Sequence, residues 1–289
     1  FTAVHDWAQG TQADNFFPLP PPVGVAVAAT KDLSFRAFYK NIFRMPTFND
    51  LYYREVGNLN LNPEKTQQWD LGVVYNRDNL AHGRVDIAAS VDGYFNIVKD
   101  KIVAFPARNL FSWTMLNYGK VFIGGAEVNA NLQYQFSKGY FLRFNGNCTY
   151  QKAVDRTDPT GKTYNHQIPY TPVWSGSTGV SVELPWITLS YSLLLAGERY
   201  ALGQNIPINR VAGYTDHSIT IGHQYAIKTD NARKVEKQGG NKMSFAYKVV
   251  THTIGFKCEL LNLANKNYEI IRNYPMQGFG FRVKVFYEY

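Results

Sequence analysis

Eight aromatic and basic side chains between the predicted strands are the residues best suited to contact a ligand. Aromatic rings stack on flat or apolar groups and arginine pairs with anions, so together they favour a bulky ligand. They are Tyr52, Tyr53, Arg54, Trp113, Tyr164, Tyr200, Arg210 and Tyr274. Tyrosine and tryptophan also form interfacial girdles and brace loops against each other, so each ring has a structural interpretation as well.

Residues that could support catalysis or bind a metal are scattered. Asp155 and Asp158 precede His166 at a spacing typical of unrelated loop residues, and no GxSxG, HExxH or P-loop motif occurs. Cys148 and Cys258 lie far apart, with no CxxC pair and no cysteine/histidine cluster at zinc spacing, which leaves a disulfide open but unsupported. The sequence therefore predicts no enzyme activity, no cofactor and no metal site.

The last stretch, residues 279–289, is the element around which the chain is organised. Its sequence, FGFRVKVFYEY, places apolar residues on one parity and Arg282, Lys284 and Glu288 on the other. A soluble sheet would need a second layer over the apolar face, whereas a membrane β-barrel exposes that face to lipid. The stretch also resembles the signal that the outer-membrane barrel assembly machinery reads, with the residues Phe281, Val283, Val285, Tyr287 and Tyr289.

The same alternation recurs along the chain and predicts about 11 strands. They cover residues 23–29, 33–40, 66–76, 84–98, 117–136, 140–150, 172–184, 187–196, 214–227, 245–263 and 279–289. Residues 1–22 have no sustained period and are predicted to be a loop, and Thr47 is predicted to cap a short helix over 48–53. The fold class is thus all-β, a transmembrane antiparallel barrel.

Long loops alternate with short turns, an asymmetry typical of outer-membrane barrels. If the C-terminus is periplasmic, the long loops, including 99–116, 152–170, 197–213 and 264–278, lie outside the cell. The segment 228–242 is the exception, because it is long and basic yet lies on the side of the short periplasmic turns. We expect it to be a solvated turn.

Composition agrees with a barrel. The chain is 15% aromatic and contains no continuous apolar run long enough for a spanning helix. The strand residues predicted to face the lumen include equal numbers of basic and acidic side chains, a wall that suits hydrogen bonding to a folded plug or to water. The net charge of +8 therefore comes mainly from loops and turns. Basic loops could attract lipopolysaccharide phosphates or an anionic ligand, although solvated surface is the simpler interpretation. No signal peptide opens the chain, so we expect a mature fragment.

Four motifs carry a family resemblance. FRMPTFNDLYYREVGNLNLNPE (43–64) is similar to the FRxPT...LYY...GNxxLxPE signature of TonB-dependent outer-membrane receptors, and Asp-Leu-Gly (70–72) stands where that family has Glu-Leu-Gly. NYGKVFIGGAE (117–127), NLANKNY (262–268) and YPMQG (274–278) resemble its NxGK...GxE, NL(F/T)(D/N)KxY and YPMPG motifs, in the family's order. Gln277 replaces the usual proline.

The resemblance implies a 22-stranded barrel with an N-terminal plug, of which these strands would be strands 12 to 22. Residues 1–22 would then be an extracellular loop segment, and residues 23–289 the C-terminal half of the barrel. It further implies a receptor that binds a scarce nutrient complex, with cobalamin or a ferric siderophore as the first candidates, and imports it with energy from TonB. The similarity is greatest to receptors of Bacteroidetes type.

The partners implied are the TonB–ExbB–ExbD complex acting through the plug, the barrel assembly machinery, lipopolysaccharide and other lipid, and a surface lipoprotein, with no nucleic acid. Alternatives are a passive porin or an adhesin barrel, which would share the alternation without the motifs, and a soluble β-sandwich, whose apolar faces would meet in a core. Three arrangements stay open at this point: the plug and first half are a separate chain, they are a further part of the same protein, or this half closes on itself.

Overall fold

Alternation with a period of two carries most of the chain into a single antiparallel sheet of 11 strands. The computed structural model describes residues 22–106, 113–235 and 244–288. In chain order the strands are β1 (Val23–Ala28), β2 (Leu33–Arg44), β3 (Glu64–Asn79), β4 (Val85–Pro106), β5 (Trp113–Ser137), β6 (Tyr140–Asp155), β7 (Trp174–Leu184), β8 (Ile187–Ala196), β9 (Arg199–Tyr200), β10 (Arg210–Val211), β11 (Tyr214–Val235), β12 (Ser244–Leu261), β13 (Glu269–Ile271), β14 (Tyr274–Pro275) and β15 (Gly280–Glu288). The all-β fold and the strand number are confirmed.

Neighbours along the chain are neighbours in the sheet, in the order β1-β2-β3-β4-β5-β6-β7-β8-β11-β12-β15. The two remaining pairs, β9 with β10 and β13 with β14, are small sheets inside connections. Among the described residues, β1 pairs only with β2 and β15 only with β12. The sheet therefore has two edges, and its first and last strands are not joined to each other.

Antiparallel order brings the long connections to one end of the sheet, called here the loop end, and the tight turns to the other, the turn end. The long connections are loop A (45–63), loop B (156–173), loop C (197–213) and loop D (262–279). Loop A contains helix α1 (Phe48–Tyr52), whose N-cap Thr47 forms the expected capping box with Asp50. Helix α2 (Leu80–Gly83) is a turn that contains residues with left-handed backbone angles, and Pro207–Asn209 is a single 3₁₀ turn. None of the described helices is long and apolar enough to cross a bilayer.

Two predicted connections are strand instead. The predicted loop 99–116 is largely the paired extension of β4 and β5, whose ladder continues from Lys101–Tyr118 to Pro106–Trp113. The predicted turn 228–242 is strand over 228–235, since β11 and β12 stay in register from Ile219–Leu260 to Val235–Ser244; its remaining residues lie outside the described part. Apolar and polar residues alternate only in the part of a strand that contacts lipid. Backbone pairing continues beyond the lipid, so the strands are longer than the alternation indicates.

Aromatic side chains mark two levels on the outer face. Near the loop end, Trp69 lies 5.3 Å from Tyr39 and 5.9 Å from Phe95, measured between ring centroids. On β5, the first level falls at Gly124, which pairs with Phe95 of β4. The second level is formed by Tyr134 and Phe136 near the turn end, and Tyr134 lies ten residues beyond Gly124 along the strand. Ten residues span about 33 Å along a strand and about 25 Å along the membrane normal at a tilt of ~40°, which matches the apolar band of a barrel.

The assignment of faces predicts the result of spin labelling. Val128 lies on the exposed outer face, whereas Asn129 donates a hydrogen bond to Glu127 on the inner face. Labels at Val128 and Leu132 should therefore be accessible to a lipid-soluble quencher, and labels at Asn129 and Gln133 should be shielded from it. Quenching rates measured in reconstituted membranes test this, and the opposite pattern would overturn the register.

Candidate functional site

Loop A is fastened to β5 by paired asparagines. The backbone N–H of Asn62 donates to Asn117 Oδ1 at 2.7 Å, and Asn117 Nδ2 donates to the backbone carbonyl oxygens of Asn62 at 3.0 Å and Asp100 at 2.7 Å. Asn58 adds a bond from Nδ2 to the carbonyl of Met115 at 2.9 Å. Two of the sequence motifs, GNLNLNPE and NYGK, thus meet in space and hold loop A in place.

Arg199 joins loops C and D. Its side chain lies in the interior, with only 3% of the residue exposed, and its guanidinium donates to the backbone carbonyls of Gly197, Ala212, Glu269 and Ile270. It also lies over the ring of Tyr214 at 5.5 Å. Burial lowers the pKa of Arg199, but an arginine begins so far above neutrality that it stays charged. A buried cation held by four carbonyls fixes the relative position of the segments that supply them.

Loop D has its own internal bonds. Asn262 is buried, with a left-handed backbone (φ 48°), and its Nδ2 donates to the carbonyls of Lys266 at 2.9 Å and Gln277 at 3.1 Å. Tyr268 stacks on Tyr214 at 4.2 Å and donates its hydroxyl to Asp216 Oδ2 at 2.6 Å. Burial, and then the bond to Asp216, raise the pKa of Tyr268, so this hydroxyl stays protonated and continues to donate.

A pocket of about 370 Å³ lies where these loops meet the sheet. Its lining is mostly apolar and aromatic, with the Arg199 side chain as the single charged one: Val103, Ala104, Trp113, Pro169, Tyr170, Pro172, Ala196, Arg199, Tyr214, Ile270 and Ile271. The rings of Trp113 and Tyr170 lie 5.7 Å apart, and burial raises the pKa of Tyr170. The pocket therefore favours an apolar or aromatic part of a ligand.

A larger hollow, of about 720 Å³, lies along the wall from β1 to β5. It is lined by residues of both faces of the sheet, such as Leu71 and Asp70, and by none of the loops. We do not assign it to ligand binding, because no group of converging polar side chains accompanies it.

Of the eight residues predicted to contact a ligand, only Trp113 lines the smaller pocket. It is the first residue of β5 rather than part of a loop. In loop A, Tyr52, Tyr53 and Arg54 are exposed, and Tyr274 in β14 is exposed as well. These four residues are free to meet a ligand but are not gathered at one point with Trp113.

The remaining three predicted residues take part in contacts within the loops. The Tyr164 hydroxyl accepts a hydrogen bond from Arg156 at 3.1 Å. Tyr200 pairs with Arg210 in the β9–β10 ladder, and Arg210 forms an ion pair of 2.5 Å with Glu198. Sequence reasoning missed Arg199, Tyr170 and Tyr214, and no local motif distinguishes these residues from other loop residues.

The inner face of the wall carries paired charges, as the balance of signs on that parity indicates. Arg36 Nη2 reaches across Gly72 to Asp92 Oδ1 at 2.6 Å, where a Cβ on Gly72 would lie only 2.0 Å from that oxygen. Glu259 pairs with Lys257 at 2.6 Å and with Arg282 at 3.2 Å. Acceptors also remain, because Asp70 Oδ1 and Asn96 Oδ1 are buried without a hydrogen-bond partner in the described part of the chain.

Comparison with known proteins agrees with this geometry. The vitamin B12 transporter BtuB of Vibrio vulnificus is 33% identical over 108 residues, which are 37% of this chain and 16% of that protein. The vitamin B12 transporter BtuB of Photobacterium profundum is 28% identical over 112 residues, 37% of this chain and 17% of that protein. The chain therefore matches only a minor part of the length of these relatives.

Solved structures share the fold at low sequence identity. The copper transporter OprC has a TM-score of 0.60 at 18% identity, over 91% of this chain and 39% of its own. The siderophore receptor PiuA from Acinetobacter baumannii has a TM-score of 0.60 at 14% identity, over 92% of this chain and 35% of its own. Residues 9–235 match the family model described as TonB dependent receptor-like, beta-barrel. Since that match covers most of the chain and the sheet agrees with it, the chain belongs to the TonB-dependent receptor β-barrel family, whose proteins lie in the bacterial outer membrane.

Proposed function

We propose that this chain supplies ligand-binding loops and barrel wall to an outer-membrane receptor that imports a scarce nutrient complex with energy from TonB. The observation that carries the proposal is the loop assembly around Arg199, which holds an aromatic-lined pocket at one end of a lipid-facing sheet. The relatives named as vitamin B12 transporters and siderophore receptors support import as the purpose of the assembly.

The ligand class that we propose is cobalamin or a ferric siderophore. A pocket of about 370 Å³ is near the lower end of ligand-site volumes and would hold one apolar or aromatic part of such a ligand. The exposed Tyr52, Tyr53 and Arg54 of loop A, together with Tyr200, Arg210, Tyr164 and Tyr274, would contact the remainder. Arginine suits the anionic groups of such ligands, and tyrosine suits their flat faces.

The placement in the membrane that we propose follows from the two edges of the sheet. Residues 23–289 would be strands 12 to 22 of a 22-stranded barrel, because unpaired strand edges are not tolerated in lipid. The loop end would face outside, with residues 1–22, which lie almost entirely outside the described part, as an extracellular segment and the C-terminus in the periplasm. In β15, the outward Phe281, Val283, Val285 and Tyr287 would be read by the assembly machinery together with Tyr289, which is not described.

The inner face would surround a plug that transmits force from TonB–ExbB–ExbD. Its ion pairs are already satisfied within the wall, whereas Asp70 Oδ1 and Asn96 Oδ1 can accept hydrogen bonds from a plug or from lumen water. The exposed Phe48 and Tyr52 of loop A, with ring centroids 4.8 Å apart, would be available to a surface lipoprotein.

Replacing Trp113 by alanine in the full-length receptor should weaken binding of cobalamin or a ferric catecholate by about 30-fold, since a tryptophan that packs against a bound partner contributes ~2 kcal/mol or more. Titration of purified receptor with each ligand measures this, with Trp113→Phe expected to retain most of the affinity. Trp186→Ala, an exposed residue at the turn end, is the matched control and should leave affinity unchanged.

Unchanged affinity in Trp113→Ala would remove the pocket from the binding site. If the wild-type receptor binds neither ligand and instead shows a constitutively open conductance in a planar bilayer, the passive porin replaces the transport receptor. An adhesin would show neither property.

A further inference from the structure

Four basic residues stand side by side on the outer wall at the loop end. In the register of the sheet, Lys65 on β3 pairs with Lys99 on β4, and Lys99 pairs with Lys120 on β5. Arg156 follows directly after β6, where its N–H donates to the carbonyl of Lys120 at 2.8 Å. These four residues are called here the basic row. Residues directly opposite on neighbouring strands have Cβ atoms about 5 Å apart, and like charges at that distance repel.

No carboxylate in the described part of the chain neutralises the basic row. Within the described ranges, none of its four members has an ion-pair partner within 4.0 Å. Three acids are adjacent to the row in the sequence. Glu64 bonds to Arg44, Lys101 and the N–H of Ile102, and Asp155 accepts bonds from Thr157 and Thr163. Asp100, which follows Lys99, makes no ion pair with the row among the ion pairs of the described residues. The row therefore concentrates positive charge on a face where the described residues do not balance it.

Directly below the row lies the aromatic level of the outer face. Trp69 pairs with Phe95, and both lie four residues from the row along β3 and β4, about 13 Å along a strand. Phe122 lies between these levels, with Lys120 Nζ 4.9 Å and the Arg156 guanidinium 5.5 Å from its ring centroid. Trp69 and Phe95 are 38% and 41% exposed, and both face outward. The basic side chains thus lie next to an apolar surface, on its loop-end side. This arrangement is complementary to an amphiphile that has an anionic head group and acyl chains.

We infer that the basic row binds the phosphate groups of a phosphorylated lipid in the membrane leaflet at the loop end, with the acyl chains of that lipid against Trp69, Phe95 and Phe122. Lysine and arginine both bind phosphate, and three strand spacings of about 4.8 Å give a row long enough for a head group with more than one phosphate. A soluble anion would use the cations but not the aromatic surface. The inference depends on the proposed function in one respect only, namely that the loop end faces the outer leaflet.

The test compares three forms of the full-length receptor: wild type, Lys65→Gln/Lys99→Gln/Lys120→Gln, and the control Lys31→Gln/Lys138→Gln/Lys162→Gln. The control removes the same charge from three exposed lysines outside the row. Each form is reconstituted in phosphatidylcholine vesicles containing bis-phosphorylated lipid A, extracted in detergent, and weighed by native mass spectrometry. Wild type and control should retain the lipid, and the row variant should retain about tenfold less, because three charge-assisted contacts are lost.

Two further arms separate the sources of phosphate. Dephosphorylated lipid A should be retained poorly by all three forms, and inorganic phosphate should not displace the retained lipid from wild type. Equal retention by the row variant and wild type, equal retention of dephosphorylated lipid, or full displacement by inorganic phosphate would each overturn the inference. Ligand affinity is measured in parallel: a receptor that retains the lipid yet binds no nutrient would refute the proposed function alone.

Discussion

Replacing Arg199 by methionine should release loops C and D from each other while leaving the barrel assembled. Methionine fills similar space, but it leaves the carbonyls of Gly197, Ala212, Glu269 and Ile270 without their donor in a buried site. Leaving a buried acceptor without its hydrogen-bond donor costs about 1–3 kcal/mol per group. We therefore expect backbone amides in residues 262–279 to exchange hydrogen at least 100-fold faster in the full-length receptor, and ligand affinity to fall with them.

Arg210→Gln is the matched control for this experiment. The ion pair of Arg210 with Glu198 is short, but both side chains are more than half exposed, and exposed pairs contribute about 1 kcal/mol or less. Exchange in loop D should be nearly unchanged in this variant. If Arg199→Met exchanges as slowly as wild type, the asparagine-based bonds within loop D are sufficient, and Arg199 does not hold the loops.

Adding a single methyl group at Gly125 should impair barrel assembly, whereas the same change at the adjacent Gly124 should be tolerated. A Cβ on Gly125 would lie 2.4 Å from the carbonyl oxygen of Tyr150 and 2.6 Å from the hydroxyl of Tyr94, so the paired backbone of β6 would have to move. A Cβ on Gly124 would meet Phe95 at 3.5 Å, an ordinary contact on the lipid side. We expect Gly125→Ala to cost about 1–3 kcal/mol or more, as overpacking does.

The measurement is the fraction of full-length receptor that reaches the heat-modifiable, folded form in outer-membrane fractions, together with the urea midpoint of the purified protein. Gly124→Ala should match wild type in both. Equal behaviour of the two variants would mean that β5 and β6 can separate locally, and that the close approach at Gly125 is not required for assembly.

Alternation in the sequence was sufficient to predict the strands, because a barrel wall lies between two different environments. Outer residues such as Val128 meet lipid and inner residues such as Asn129 meet polar groups, so the sequence of each strand indicates its two faces. The same reasoning failed at 99–116 and 228–242, where both faces of the strand lose that contrast although the hydrogen bonds of the ladder continue. Strand ends beyond the lipid cannot be located by polarity.

The loop aromatics show the limit for the candidate site. The sequence analysis predicted ligand contacts for both Trp113 and Tyr164. Trp113 does line the pocket, whereas Tyr164 contacts Arg156 instead. Tyr170 and Tyr214 were passed over, although the fold places both in the pocket lining. Local sequence shows that a ring is present in a loop, and only the packing of loops against each other shows which rings meet.

The sequence by itself determined the fold class, the number of strands in the main sheet, the two faces of each strand where polarity alternates and, through its motifs, the receptor family. The tertiary structure alone decided which distant residues became neighbours: Arg199 with the carbonyls of loop D, and Lys65, Lys99 and Lys120 in one row. The physical reason is that burial and strand register are properties of several segments together. A solvated arginine and a buried one look the same in a sequence, and three lysines become a single charged surface only when the ladder of hydrogen bonds aligns them.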